Sequence, residues 1–271
     1  MNRRQLWISL LLLWSLAPML WQLISSFTTT AALVDGGVPF LQRWTLIHYR
    51  QLLSSDPPFW RFLLNSTVLA SASTVLTIAL AIPAAYGLVR LPQRWLRVSR
   101  ALIAGAALFP YVLLFLALLA LARSLNLGNS LLALAIPYSA LSLPLALLLL
   151  TAAFEGLPKD LDDAAKLEGM SLVQRLRWVL IPLIAPATAS TAILVFLFAW
   201  NEYPIALTWL SRSEQLTLPV AMARIAGSSV YSVPYGAYAA ATVLGALPLL
   251  LLVLLFQRQI VSGLTNGAVK G

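Results

Sequence analysis

With 271 residues, 60% of them hydrophobic and only 10% charged, and a mean hydropathy of +0.86, the chain has too little polar surface to stay in water; a soluble domain carries about 25% charged residues. The absence of cysteine excludes disulfides, thiolate metal sites and cysteine nucleophiles, and a single histidine, His48, leaves almost no ordinary metal or general-base chemistry. The class is all-α integral membrane.

A membrane helix needs roughly 20 mostly apolar residues. Six stretches qualify: Gln5–Phe27, Leu63–Val89, Ala101–Ala122, Ser130–Phe154, Leu183–Trp200 and Gly236–Phe256. The first follows Arg3 and Arg4 and has the look of a secretory leader. Its apolar run is too long for one and no small-x-small cleavage site follows, so it reads as a retained helix. The segments 28–62 and 201–235 are long, poor in charge and rich in Pro, Gly and aromatics, which suits chain lying along the membrane surface. His48 within the first of them reads as an outer-surface residue. Pro18, Pro83, Pro110, Pro137, Pro144 and Pro248 fall within spans, which predicts kinked helices. No repeat, low-complexity tract or soluble domain interrupts the pattern, so residues 1–271 read as a single membrane domain.

Lysine and arginine set the orientation. With the N-terminus inside, the inner segments hold Arg3, Arg4, Arg90, Arg94, Arg97, Arg100, Lys159, Lys166, Arg175, Arg177, Arg258 and Lys270. The outer ones hold Arg43, Arg50, Arg61, Arg123, Arg212 and Arg224. Twelve against six places both termini in the cytoplasm. The net charge of +9 is thereby accounted for without a nucleic acid partner.

Between the fourth and fifth spans the chain reads "LPKDLDDAAKLEGMSLVQRLRWVLIP" over residues 157–182. Pro158 suits a first helical turn, and Asp160, Asp162 and Asp163 complement the positive helix end. Leu157, Leu161, Ala164, Ala165 and Leu167 make a short apolar stripe. Gly169 stops the helix by taking positive φ. Ser171 starts a second helix with Gln174 as capping-box partner. Leu172, Leu176 and Val179 line one side of it, Arg175 and Arg177 the flank, and Pro182 leads into the fifth span. Two capped helices exceed what a plain connection needs. The alternative is a well-capped solvated loop.

Beyond the fifth span, "AWNEYP" sets Glu202 beside Trp200, Asn201 and Tyr203. An ionisable residue at membrane depth faces an interior or a polar cavity, and aromatics with Asn and Glu suit a sugar. The competing reading is an interfacial aromatic belt and an ordinary helix cap. No G-x-x-x-x-G-K-[ST] loop surrounds any of the three lysines, so the chain has no phosphate-cradling loop of its own.

The loop resembles the signature of binding-protein-dependent ABC importer permeases: Glu-Ala-Ala, three residues, Gly, nine residues, then Ile-x-Leu-Pro. Here Asp163-Ala164-Ala165, Gly169 and Val179-Leu180-Ile181-Pro182 keep the spacing, with Asp for Glu, Val for Ile and Ile for Leu. "LPKDLDDAAKLEGMS" is similar to the carbohydrate-importer form. "WTLIHYRQLL", "NSTVLA", "AAYGLVRL", "AWNEYPIAL" and the tail "GLTNGAVKG" extend the likeness to a six-span, maltose-permease-like subunit. The resemblance implies a bacterial inner-membrane transport subunit, not an enzyme, that forms half of a pore for a sugar or oligosaccharide. It also implies that the first loop helix docks on a separate ATPase through Asp163, Ala164, Ala165, Leu167, Glu168 and Gly169, with ATP used by that partner and no cofactor in this chain. The implied partners are a second, different permease, two ATPase copies and an extracytoplasmic solute-binding protein. Trp200, Asn201, Glu202 and Tyr203 are candidates for the solute path. A permease for a polyamine, phosphonate or amino acid is the alternative within transport; an ATPase-independent channel or a membrane enzyme lies outside it.

Overall fold

The computed structural model describes residues 3–34, 44–226 and 234–268; for Arg3, Arg4, Lys159 and residues 258–268 the description is of the backbone alone. The side chains of the tail 263–271, and those of Arg43, Arg258 and Lys270, lie outside the described residues. All regular structure among the described residues is helical. The chain begins with α1 (Arg3–Ser26), α2 (Thr30–Val34), α3 (Ile47–Ser54) and α4 (Phe59–Val89). It continues through α5 (Gln93–Ala107), a 3-10 turn (Tyr111–Leu114), α6 (Phe115–Ser124) and α7 (Leu131–Glu155). Next come α8 (Lys159–Leu167), α9 (Leu172–Gln174), a π-helical turn (Arg175–Leu180), α10 (Ile181–Leu183) and α11 (Ala185–Asn201). Last are α12 (Pro204–Trp209), α13 (Leu218–Ala226) and α14 (Tyr235–Ala268).

Four helices, α1, α4, α7 and α14, have uninterrupted apolar stretches long enough to cross a membrane. The expected third and fifth spans are not continuous. Gln93–Ala107 meets Tyr111–Ser124 at 76°, and Leu172–Leu183 meets Ala185–Asn201 at 84°. Taking each bent pair as one span gives six, consistent with the sequence reading. The first break sits at Pro110, which gives no N–H and pushes Phe109 out of the helical region. The second falls at Ile184, between Pro182 and Pro186, where two successive turns lose a donor. By contrast Pro18, Pro83, Pro137, Pro144 and Pro248 lie inside uninterrupted helices.

The fold divides into two compact units. In the unit built from the described parts of 1–64 and 216–251, Leu52, Phe59, Phe62, Leu218, Val220 and Ala239–Ala241 are buried. Phe59 and Phe62 meet edge to face, with centroids 6.1 Å apart. Phe27 stacks on Trp44 at 5.7 Å and tilts against Tyr49 at 5.3 Å. His48 is not on the surface: it is 5% exposed, and its Nε2 lies 3.0 Å from the Thr28 carbonyl oxygen. Gly236 makes room for the ring, because a Cβ there would stand 2.6 Å from both Cδ2 and Cε1 of the imidazole.

In the unit built from the described parts of 65–215 and 252–271, α5 and α11 pack on α7. Ala81, Ala85, Ala146, Leu150, Phe154, Leu180, Ile184 and Val195 form its buried cluster. Lipid tails are as apolar as leucine, so such a core is held by close packing and interhelical hydrogen bonds, for which small residues are suited. Thr77 Oγ1 donates to Ser139 Oγ at 3.1 Å between α4 and α7, both residues being buried. Asn129, at φ +61°, clamps a second turn: its Oδ1 accepts from the Ser211 N–H at 2.6 Å and the Arg212 N–H at 3.1 Å.

Candidate functional site

The loop between α7 and α11 is built by its own local chemistry. Pro158 is the residue that precedes α8, with Asp160 and Asp162 in the first turn where the helix end is positive. At the other end Gly169 takes φ +78°. Its N–H donates to the Lys166 carbonyl at 3.0 Å, and the Met170 N–H reaches the Ala165 carbonyl at 3.1 Å, which closes the helix in a Schellman motif. Ser171 and Gln174 form the expected capping box: the Ser171 N–H donates to Gln174 Oε1 at 2.8 Å, and the Gln174 N–H to Ser171 Oγ at 3.4 Å. Nothing lies within 4 Å of a Cβ built at Gly169. Gly169→Ala should therefore cost only the left-handed backbone penalty, about 1–2 kcal/mol, with Gly169→Asn milder, measurable as graded loss of thermal stability.

The two faces of α8 differ from the expected apolar stripe. Among its described side chains the buried ones are Asp162, 2% exposed, and Ala165, 5% exposed. Asp163, Ala164, Glu168 and Gly169 are exposed, and Leu167 is 91% exposed. Of the six residues singled out from the sequence, five thus share an open surface, and Ala165 faces into its own chain.

Asp162 is the centre of a polar knot. Its carboxylate pairs with Arg90 from the end of α4 and with Arg175 Nη1 at 2.9 Å. The Tyr86 hydroxyl lies 3.1 Å from Oδ2, and Lys166 Nζ lies 3.3 Å from the same oxygen. Arg175 also donates to the Tyr86 oxygen at 3.1 Å. It opens a π-helical turn rather than lying on the flank of an α-helix, and is turned inward with its side chain 13% exposed. Tyr86 in turn meets Phe154 of α7 edge to face at 5.9 Å, and the Arg90 guanidinium lies 4.7 Å above the Tyr86 ring. A cavity of about 380 Å³ borders the knot, lined by Arg90, Gln93, Glu155 and Asp162 among others.

Burial pushes the Asp162 carboxyl up, but the hydrogen bonds from Tyr86 and Lys166 and the charges of Arg90 and Arg175 outweigh it and hold it below the ordinary range. A carboxyl more acidic folded than unfolded adds stability at neutral pH and loses it as pH falls through the folded value, so the knot loosens only in acid. Asp163, bound by Lys166 Nζ at 2.9 Å, is likewise lowered by that hydrogen bond, and Lys166 is raised by it. In the sequence Asp162 reads only as a first-turn acid and Arg90 only as an inner basic residue, and neither they nor Tyr86 stand among the candidate site residues. The available signals are the i, i+4 placement of Tyr86 and Arg90 at the end of a span, and the i, i+3 phase of Asp162 with Ala165.

The residues at 200–203 play a different local part. Glu202 is 3% exposed. It accepts from the Ile205 N–H at 2.8 Å, the Ala206 N–H at 3.1 Å and the Tyr138 hydroxyl, so it caps α12 and ties it to α7. Trp200 is buried and stacks on Phe196 at 5.7 Å. Asn201 is exposed, donates to the Leu197 carbonyl at 2.8 Å, and Tyr203 is half-buried. A cavity of about 790 Å³ lies at the first break, lined by Phe109, Tyr111, Pro137, Ser142, Leu194 and Phe198 among others. Among the described residues no three His, Cys, Asp or Glu side chains come together as a metal site.

Residues 5–266 match the family described as binding-protein-dependent transport system inner membrane component. The chain is 39% identical over 264 residues to the sulfoquinovosyl glycerol transport system permease protein SmoH of Agrobacterium fabrum, covering 97% of this chain and 92% of that one. It is 37% identical over 260 residues to the trehalose transport system permease protein SugB of Mycobacterium tuberculosis, with coverages of 95% and 93%. To the trehalose/maltose transport system permease protein MalG of Thermococcus litoralis it is 38% identical over 259 residues, with coverages of 94% and 92%. Its fold is similar to a chain in the crystal structure of a bacterial ABC transporter involved in the import of the acidic polysaccharide alginate, with TM-score 0.76 over 94% of each chain at 22% identity. Such permeases are transport components rather than enzymes. The family match runs through all six candidate spans and the loop between α7 and α11, and the chain belongs to the binding-protein-dependent transport system inner membrane components.

Proposed function

We propose that this chain is one half of the pore of an ATP-driven importer for a sugar or oligosaccharide, and that α8 is its contact with a separate ATPase. The observation that carries the reading is the surface of α8. Leu167, 91% exposed, stands among Asp163, Ala164, Glu168 and Gly169 on a helix whose opposite side is anchored by Asp162. On a charged helix closed at its C-terminal end by the Gly169 turn, this apolar side chain offers a covering partner an anchor. Ala164 lets that partner approach closely, and Asp163 and Glu168 offer it acceptors.

In this reading both termini and α8 face the cytoplasm, following the distribution of lysine and arginine. ATP closes two ATPase copies, α8 moves with them, and the spans turn from outward to inward access. A second, different permease completes the pore, and an extracytoplasmic binding protein supplies the solute. The sugar assignment draws on the permeases named above, all of them for glycosides or disaccharides by their descriptions. Trp200 and Glu202, both buried, belong to the frame of the solute path; Asn201 and Tyr203 are the members of that quartet with open surface.

The test is purification of the tagged chain from its native membrane under gentle conditions. Recovery of a P-loop ATPase, a second permease and a binding protein carrying a sugar is the expected result. A folded chain recovered alone at full yield would defeat the reading, and a binding protein carrying a polyamine, phosphonate or amino acid would defeat its sugar part.

A further inference from the structure

We propose that Asp162 is a positioning residue for transport: its carboxylate locks α8 to the end of α4 and to the π-helical turn, so that α8 and the α4–α5 corner move as one body. The inference rests on the reading of α8 as the ATPase contact.

Little else holds α8. Among its described side chains Ala165 is the one buried apolar group, while Leu161 is 37% and Leu167 91% exposed. The Ala165 methyl and the partly covered Leu161 side chain make non-directional contacts, which fix neither the rotation nor the sliding of a helix. Asp162 supplies what is missing. Its two oxygens are met by donors from three places: Tyr86 on α4 with Arg90 directly after it, Arg175 on the π-helical turn, and Lys166 one turn along α8. Charge-assisted hydrogen bonds are directional, so α8 cannot turn against α4 without breaking several at once. The Tyr86 ring carries the tie further, through its edge-to-face contact with Phe154, into the end of α7.

The charge balance makes the lock depend on Asp162. Arg90, Arg175 and Lys166 converge on Asp162; of the other described carboxylates beside the same cavity, Asp163 is held by Lys166 and Glu155 pairs with Arg100. Without Asp162, these three cations lose the carboxylate they share and repel one another. A buried ion pair is a poor source of stability, and its best-attested use is to specify one arrangement among several. The π-helical turn fits that use. Such turns are rare, and this one sets Arg175 inward against the carboxylate while its neighbour Arg177 stays exposed. A helix pushed by a nucleotide-driven partner needs a stiff, oriented link to the span it moves, and the knot is that link.

The absence of native cysteine gives a direct test. Asp160 on α8 and Gln93 at the α4–α5 corner are both exposed and stand outside the knot. Spin labels on Asp160→Cys and Gln93→Cys report their separation by electron paramagnetic resonance in the purified complex, with and without ATP. The lock predicts one narrow distance distribution that ATP leaves unchanged. With Asp162→Asn the distribution should broaden or split and become responsive to ATP, and Asp162→Glu should restore it in part. An Asp162→Asn complex with the same narrow, ATP-insensitive distribution would overturn the proposal. If that variant yields no complex, Tyr86→Phe, which removes one donor and no charge, decides in the same way: broadening supports the lock and an unchanged distribution overturns it. Failure of the ATPase to accompany the unsubstituted chain defeats the functional reading instead, so the two failures are separate.

Discussion

Replacing Glu202 with alanine should be among the most destabilising single changes in the chain. The carboxyl satisfies two backbone N–H groups at the start of α12 and the hydroxyl of fully buried Tyr138. Water cannot replace it, since Glu202 is 3% and Tyr138 0% exposed. Each stranded buried donor costs about 1–3 kcal/mol, and the substitution strands three and leaves a cavity besides. Glu202→Gln keeps one acceptor oxygen but turns an amide donor toward donors, so it should fall between the parent and alanine. Thermal unfolding of the purified chain in detergent gives the order parent, Gln, Ala. Equal stability of Glu202→Ala and the parent would remove the capping role.

Gly236→Ala should be nearly as damaging for the opposite reason, an atom too many. The new methyl would overlap the His48 ring, which is buried and bonded to the Thr28 carbonyl. Forcing a methyl into a filled interior costs about 1–3 kcal/mol, and here it also costs the imidazole its hydrogen bond. The double substitution gives the sharper measurement. His48→Ala removes the obstacle, so Gly236→Ala in that background should be far less harmful than in the parent. Additive effects in the cycle would contradict the contact.

What the sequence made legible follows from how local each signal is. The α4 and α7 spans were readable because uniform hydropathy over their length admits no other structure in lipid. The Gly169 turn and the Ser171–Gln174 box were readable because each is decided within a few residues. The bends were not. Prolines at 83, 137 and 144 sit within helices while Pro110 marks a break, and the presence of a proline does not by itself tell the two outcomes apart. Asp162 and Asp163 are adjacent acids with opposite fates, because Tyr86 and Arg90 reach the first from 76 and 72 residues away. His48 read as a surface residue for the same cause: Gly236 and Thr28, which bury it, are remote in sequence. Glu202 carried two readings in sequence, and its bonds to Ile205 and Ala206 make it a helix cap.

The most direct test of the central claim, that this permease meets its ATPase through α8, uses Leu167→Cys as the only thiol in the chain. A short thiol-to-amine cross-linker applied to native membranes should join this position to a P-loop ATPase, and a membrane-impermeant thiol reagent should reach it only after the cytoplasmic side is opened. A thiol that is labelled from the outer side of intact cells, or that reacts freely yet never cross-links to an ATPase, would contradict the account.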